Sequence, residues 1–153
     1  MEYWALATGG LALAGLIMAF IYARMVTRES PGNEKMQQIA GAIREGAMAF
    51  IRREYQVLAV FVLIVFALIA IFIWYKPAGG GESTYTGIYT AIAYIFGAAL
   101  SMTAGFVGMN IATKANVRTT HGAERGARDA LVIAFRGGAV MGLTVAGLGL
   151  LGL

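Results

Sequence analysis

Residues 56–75 read QVLAVFVLIVFALIAIFIWY, a stretch with no charged residue and no Gly or Pro. A helix needs roughly 20 predominantly apolar residues to cross the ~30 Å hydrocarbon core of a bilayer. The stretch is therefore long and apolar enough to be a membrane-spanning helix, and it decides the fold class.

The composition of the whole chain also indicates a membrane protein. Of its 153 residues, 59% are hydrophobic and 13% are charged, whereas charged residues make up about 25% of an average soluble domain. A chain this short has too much surface for its volume to bury so many apolar side chains. This excludes a soluble monomer and an intrinsically disordered chain. The lack of cysteine excludes disulfides, thiolate metal sites and a catalytic thiol.

Three further apolar stretches accompany the first, and the last of them is marginal in length beyond Arg136. A secretory signal is disfavoured for the N-terminal stretch, because its charges follow the apolar run instead of preceding it. We expect an all-α, multi-pass transmembrane helical bundle of about four spans. They cover about residues 3–25, 56–75, 85–112 and 130–153.

Basic residues alternate between the two sides of these spans. Eleven of the twelve Lys and Arg residues lie in the segments joining spans one to two and three to four or, for Arg24 and Arg136, at the adjoining ends of those spans. The segment joining spans two and three carries only Lys76. The positive-inside rule therefore predicts that the N-terminus is outside and that the basic segments are cytoplasmic.

A helical pattern precedes the second span. Apolar residues recur at three- and four-residue spacing through residues 36–51, which predicts one apolar stripe on a helix. The helix could start at Ser30-Pro31 or at Asn33-Glu34. We expect a long second helix over about 33–75, of which 33–55 projects into the cytoplasm. This extension is either an interfacial helix lying on lipid or a stalk that packs against other helix ends.

Small residues predict which faces of the spans pack. Helices in lipid gain little from hiding apolar groups, so they associate where small side chains let their backbones approach. The second span has no Gly and should face lipid or fill gaps, whereas the other three carry small residues at four-residue spacing. These stripes are Gly15, Ala19 and Ala23; Gly97, Ser101 and Gly105, followed by Gly108 and Ala112; and Gly138, Gly142 and Ala146, with Gly147, Gly149 and Gly152 nearby.

Residues suited to catalysis are scarce. No Asp or Glu lies deep in a span, which argues against the rotor subunits of ATP synthases, because an ion carrier needs an ionisable group inside the bilayer. His121 is expected to be solvated in a polar loop, and the Gly-rich segment 76–83 to be a connector. Arg136 either snorkels to the headgroups or pairs with a carboxylate on another helix. The sequence therefore predicts no catalytic, cofactor-binding or metal-ligating residue.

Several blocks of sequence together resemble the membrane-bound, ion-pumping pyrophosphatases, which move protons or sodium ions. The blocks are IREGAMAFIRREY at 43–55, GAALSMTAG at 97–105, GMNIATKANVRT at 108–119 and AFRGGAVMGL at 134–143, continuing to GLGLLGL at 147–153. The resemblance covers the chain in order. It is restricted to the first four helices of that family, and the apolar end of the chain favours an N-terminal fragment of a larger pump.

The resemblance implies a homodimer of about sixteen helices per subunit in two rings. It also implies pyrophosphate as the substrate, Mg²⁺ as the cofactor, and proton or sodium export across a prokaryotic cell membrane. The Asp-rich motifs of the family have no counterpart here, so no magnesium ligand is expected in this segment. Its expected partners are the lipid bilayer and the remaining helices of the pump.

The resemblance leads to the hypothesis that the chain is the N-terminal scaffold of such a pump. Two other functions compete with this hypothesis. A self-contained four-helix membrane protein with a structural or interaction role is the main alternative. A nucleic-acid-binding role fails, because the basic residues flank apolar spans instead of forming a patch on a soluble surface. In the scaffold hypothesis, residues 116–118 form a turn that shapes the cytoplasmic rim.

Overall fold

The computed structural model describes the backbone of residues 2–75 and 84–152 as four helices. These are α1 (Glu2–Arg28), α2 (Glu34–Tyr75), α3 (Thr84–Arg125) and α4 (Ala127–Leu151). All four contain a stretch long and apolar enough to cross a membrane. The expected all-α, multi-pass helical bundle is confirmed, and the connector expected at 76–83 lies outside the described residues.

The core forms where α4 packs between α1 and α3. Ala19, Ile111 and Val140 are buried at its centre. Tyr22, Ala23, Val107 and Leu143 surround them. On α1 the expected stripe is used as predicted: Ala19 is buried, and a Cβ on Gly15 would lie 3.7 Å from the carbonyl oxygen of Leu143.

Helix α4 uses a different row of small residues from the expected one. Its buried residues are Ile133, Gly137, Val140, Thr144 and Gly147. A Cβ on Gly137 would lie 2.7 Å from the Cβ of Ala115, whereas one on Gly138 or Gly142 would meet nothing within 4 Å. The expected row from Gly138 to Ala146 therefore does not pack in the described bundle, because the buried face of α4 lies about one position away and repeats at alternating four- and three-residue intervals.

Helix α2 contacts only α3 within the described residues. Tyr55 anchors it by donating a hydrogen bond from its hydroxyl to the carbonyl oxygen of Met102. Gly105 leaves room for this ring, since a Cβ there would lie 3.3 Å from the hydroxyl oxygen. The most apolar part of α2 buries none of its residues in the bundle, as expected for a helix without Gly in its span.

Helices α2 and α3 are each 42 residues long, which is about 63 Å at 1.5 Å per residue. The long second helix runs without a break, as expected. The length of α3 corrects two expectations, because residues 116–118 form no turn and His121 lies in no loop. All of them belong to α3, which ends only at Arg125, and Gly126 alone separates it from α4.

Replacing Gly147 with Leu should weaken the contact between α1 and α4. A Cβ at Gly147 would lie 2.8 Å from Cγ of Leu16 and 3.1 Å from the carbonyl oxygen of Ala12. Overpacking of this kind costs about 1–3 kcal/mol. We expect a lower unfolding temperature in detergent, followed by circular dichroism.

Gly149→Leu is the matched control, since a Cβ there would meet nothing within 4 Å. Equal unfolding temperatures for the two variants would contradict the described packing of α1 on α4.

Candidate functional site at the basic end of the bundle

The C-termini of α1 and α3 and the N-termini of α2 and α4 meet at one end of the bundle. We call this the basic end and define it as residues 24–53 and 114–136, which hold eleven of the twelve Lys and Arg residues. Helix termini leave backbone groups without partners inside their own helix. The basic end is therefore where side chains can stabilise the described helices relative to one another.

Arg118 caps the C-terminus of α1 from a different helix. Its Nε donates to the carbonyl oxygen of Glu29 at 3.0 Å, and its Nη2 donates to that of Thr27 at 3.4 Å. Its Nη1 donates to the carbonyl oxygen of Lys114 at 2.8 Å within α3. A guanidinium at this position satisfies free carbonyls and also complements the negative end of the α1 dipole.

Arg125 joins three segments through two carboxylates. Its Nη2 lies 3.1 Å from Oε2 of Glu29, and its Nε lies 3.1 Å from Oδ2 of Asp129 in α4. Arg125 is the last residue of α3, beyond the apolar part of the helix. The hydrogen bond with Asp129, followed by that with Glu29, raises the pKa of its guanidinium above the ordinary value. The three side chains are 33–51% exposed, so solvent screens each ion pair and its contribution to stability is small.

The turn between α1 and α2 is fixed by its own polar side chains. Oδ1 of Asn33 accepts from the backbone N–H of Met36 at 2.9 Å, which makes Asn33 the N-cap of α2 and decides between the two expected starts. Gly32 has φ +79°, a conformation that side-chain-bearing residues rarely adopt. A Cβ at Gly32 would contact Sδ of Met36 and lie 3.2 Å from Cβ of His121.

His121 is placed by α3 against this turn. Its Nδ1 lies 3.1 Å from Oε2 of Glu124, one helical turn further on. The side chain is 27% exposed and stays partly solvated, but the expected polar loop is wrong, and the contact with Glu124 was not predicted. The helix explains the error, because it brings residues three apart onto one face.

Two cavities flank Asn116 on α3. One, of about 400 Å³, lies between α3 and α4 and includes Ala112, Ala134 and Gly138 in its lining. The other, of about 120 Å³, lies between α3 and the N-terminal half of α2, with Met36, Ile39 and Ile43 in its lining. The first part of the apolar stripe thus faces α3, with Ile39 and Ile43 still about half exposed, and Ile51 at its end is buried. This favours the stalk interpretation over a helix lying flat on lipid.

The described residues contain no group of three or more His, Asp or Glu side chains that could hold a metal ion. The side chains at the basic end therefore do not fit a magnesium site by themselves. Arg136 is half-buried, and within the described part of the chain it forms no ion pair. Both interpretations of Arg136 stay predictions. The contacts at the basic end orient helices and offer no nucleophile with an adjacent base.

The contacts at the basic end do not identify the family of the chain, whereas comparison with known sequences does. A family model described as "Inorganic H+ pyrophosphatase" matches residues 13–153. The chain belongs to the H+ pyrophosphatase family. Among similar proteins, a K(+)-insensitive pyrophosphate-energized proton pump of Methanosarcina mazei is 43% identical over 143 residues, 92% of this chain and 20% of that protein.

Two further relatives extend the H+ pyrophosphatase match. K(+)-insensitive pyrophosphate-energized proton pump 2 of Moorella thermoacetica is 42% identical over 152 residues, 99% of this chain and 20% of its own length. A protein of Clostridium tetani, provisionally named as a K(+)-stimulated pyrophosphate-energized sodium pump, is 48% identical over 128 residues, 84% of this chain and 17% of its own. The chain thus spans about a fifth of the length of these curated relatives.

Only some of the contacts at the basic end of this H+ pyrophosphatase segment could be predicted from its sequence. Arg118 stands in the block KANVRT that supports the family resemblance, but its partners Thr27 and Glu29 lie about ninety positions earlier. The pair Arg125–Asp129 could have been found from its four-residue spacing. Tyr55 stood at the end of the block at 43–55 without a predicted partner.

Removing the guanidinium of Arg118 should loosen the end of α1. In Arg118→Gln, the carbonyls of Thr27 and Glu29 lose a charged donor, which costs about 1.5–3 kcal/mol per hydrogen bond to a charged group. We expect faster amide hydrogen exchange in the last turn of α1 and the first turn of α2. Arg118→Lys should restore only part of the protection, because an ammonium lacks the planar fork.

Arg128→Gln is the control for the loss of charge, since Arg128 is exposed and forms no ion pair in the described part of the chain. Equal exchange rates in Arg118→Gln and Arg128→Gln would show that Arg118 does not cap α1.

Replacing Gly32 with Ala should destabilise the turn between α1 and α2. The positive φ and the contacts with Met36 and His121 together give a penalty of about 1–3 kcal/mol. Gly41→Ala, in the exposed part of α2 with nothing within 4 Å, should instead stabilise the protein, because Ala is the better helix former. Thermal unfolding of the two variants in detergent, with shifts of opposite sign, checks this expectation.

Proposed function

We propose that residues 1–153 are the N-terminal scaffold of a pyrophosphate-energised ion pump. The match of 13–153 to the H+ pyrophosphatase family carries the proposal. The relatives named as pyrophosphate-energized pumps are about five times longer than this chain. The scaffold takes its place in the outer ring of helices and braces the inner ones, while pyrophosphate hydrolysis and proton or sodium export belong to the assembled pump.

The geometry of the basic end supports a bracing role. Arg118 and Arg125 tie the end of α1 and the residue after it, Glu29, to α3, and α3 passes directly into α4 through Gly126. In the proposed orientation this end is cytoplasmic, as the distribution of Lys and Arg predicts. The parts of α2 and α3 that project there would support the region of the pump that binds pyrophosphate.

Magnesium and a second subunit enter the proposal only through the rest of the pump. The described residues do not fit a magnesium site, so the ligands of a catalytic Mg²⁺ would come from the part of the pump outside 1–153. The same holds for the groups that select protons or sodium ions, because an ion path needs an ionisable group inside the bilayer. A homodimer in a prokaryotic cell membrane completes the proposed assembly.

A chimera tests the scaffold directly. Residues 1–153 replace the matching first fifth of the Moorella thermoacetica pump, and inverted membrane vesicles are assayed for pyrophosphate hydrolysis and for ion uptake. We expect both activities in the chimera. We expect neither in vesicles that contain residues 1–153 alone, nor in vesicles that contain the Moorella remainder alone.

Two outcomes would overturn the proposal. Hydrolysis of pyrophosphate by residues 1–153 alone would show that the segment carries its own catalytic groups. A folded but inactive chimera, together with a stable oligomer of residues 1–153 in detergent, would favour the self-contained four-helix membrane protein.

A further inference from the structure

Two cations end the uncharged stretches of α1 and α3. Residues 3–23 contain no charged side chain and are followed by Arg24, and α3 contains none from Thr84 to Thr113, where Lys114 follows. The first cations after an apolar span lie at the membrane surface, at the level of the lipid headgroups. Arg24 and Lys114 therefore mark this surface at the basic end of the bundle.

The contacts of Arg118 place these two cations at the same depth. Its guanidinium donates to the carbonyl oxygens of Thr27 on α1 and of Lys114 on α3. Arg24 precedes Thr27 by three residues, and Lys114 precedes Arg118 by four. Because residues three or four apart lie one helical turn from each other, Arg24 and Lys114 both lie one turn from this cap, in the direction of the apolar spans.

A groove between α1 and α3 begins at these cations. One turn deeper, Phe20 follows Arg24 on α1 and Asn110 follows Lys114 on α3, and Phe106 lies a further turn along α3. Both phenylalanine side chains are exposed. Helix α4 packs on other faces of α1 and α3, and α2 makes no contact with α1 among the described residues. We call the surface formed by these five residues the α1–α3 groove.

The cations of the groove have no carboxylate to compensate them. Within the described part of the chain neither Arg24 nor Lys114 forms an ion pair. Residues 3–28 contain no Asp or Glu, and α3 contains only Glu124, which is already paired. Cζ of Arg24 instead lies 5.0 Å from the centroid of the Phe20 ring. This contact holds the cation against an apolar surface and leaves its N–H groups available to an anion.

A polar atom deeper in the groove also has no partner. Oδ1 of Asn110 is buried and accepts no hydrogen bond from the described residues. A buried acceptor of this kind is usually satisfied by a water molecule or a ligand. The α1–α3 groove therefore combines two uncompensated cations at the membrane surface, one unsatisfied oxygen a turn below them, and exposed aromatic rings.

We propose that the α1–α3 groove binds one anionic phospholipid. Its phosphate lies between Arg24 and Lys114, and one acyl chain runs over Phe20 and Phe106. One turn below the phosphate, at the level of the ester groups, a water molecule donates one hydrogen to Oδ1 of Asn110 and the other to an ester carbonyl. The site uses only the described helices, so it does not rest on the proposed function.

Charge and shape together favour an anionic lipid over other occupants. A free phosphate ion would compensate the cations but would leave the aromatic rings uncovered. A zwitterionic lipid carries its own cation beside the phosphate, so it gains less from two positive side chains. An anionic lipid matches both the charge at the surface and the apolar surface below it.

The first experiment measures lipid binding by native mass spectrometry of residues 1–153 released from a nonionic detergent. We expect the first phosphatidylglycerol to bind with a lower apparent Kd than phosphatidylcholine. Lys114→Gln and Arg24→Gln should each raise the Kd for phosphatidylglycerol about fivefold, the factor that one cation contributes near an anionic lipid. Lys114→Arg should keep the affinity, because it keeps the charge and the donors.

Arg128→Gln is the matched control, since it removes the same charge from an exposed position on α4 outside the groove. It should leave the Kd for phosphatidylglycerol unchanged. Equal weakening by Arg128→Gln and Lys114→Gln would show a general attraction to the basic end and overturn the proposal. Displacement of the lipid by millimolar inorganic phosphate would assign the cations to a free anion and would also overturn it.

The second experiment removes no charge and therefore remains decisive where a charge variant fails to fold. A diazirine-bearing phenylalanine replaces Phe106 in vesicles of equal phosphatidylglycerol and phosphatidylcholine, and irradiated products are analysed by mass spectrometry. The same amino acid at Leu68, exposed on α2, is the control. We expect phosphatidylglycerol to be enriched at 106 relative to 68. Equal lipid composition at the two positions, or a cross-link from 106 to a second copy of the chain, would contradict the proposal.

Discussion

The described bundle depends on the close approach of α4 to its two neighbours. In lipid, an apolar side chain gains little by moving from acyl chains to another helix, so packing at short distance has to supply the attraction. Gly137 lets α4 approach Ala115, and Gly147 lets it approach Leu16 and the backbone at Ala12. The buried centre at Ala19, Ile111 and Val140 exists because these approaches hold the three helices together.

Helix α2 depends on a different set of contacts. It touches α3 alone among the described helices, through Tyr55 in the membrane-proximal part and through the stripe from Met36 to Ile43 beyond it. The turn that leads into α2 is held by Asn33 and by the cations of α3. Two kinds of contact thus position the four helices. Small residues pack α1, α3 and α4 together, and polar contacts at the basic end hold the turn that leads into α2.

Sequence alone was sufficient for the spans, the continuous second helix and the family, since each depends on local hydropathy, on the absence of a helix breaker or on contiguous residues. Sequence alone did not predict contacts between residues that are distant along the chain. The cap that Arg118 provides to α1 joins residues about ninety positions apart. The row of packing residues on α4 was missed because Gly137 and Gly138 are adjacent in sequence and face different directions. The end of α3 was missed because residues 113–125 are polar, which favoured a loop after the third span. They contain no Gly-Pro break, so the helix continues to Arg125.

The single-residue link at Gly126 has a mechanical consequence. With only one residue between α3 and α4, and with Arg125 bonded to Asp129 across the link, the end of α3 and the start of α4 are held close together, which limits how far one helix can slide along the other. A displacement of the start of α4 is therefore felt directly at the Arg125 end of α3 and, through the hydrogen bonds of Arg118, at the junction of α1 and α2.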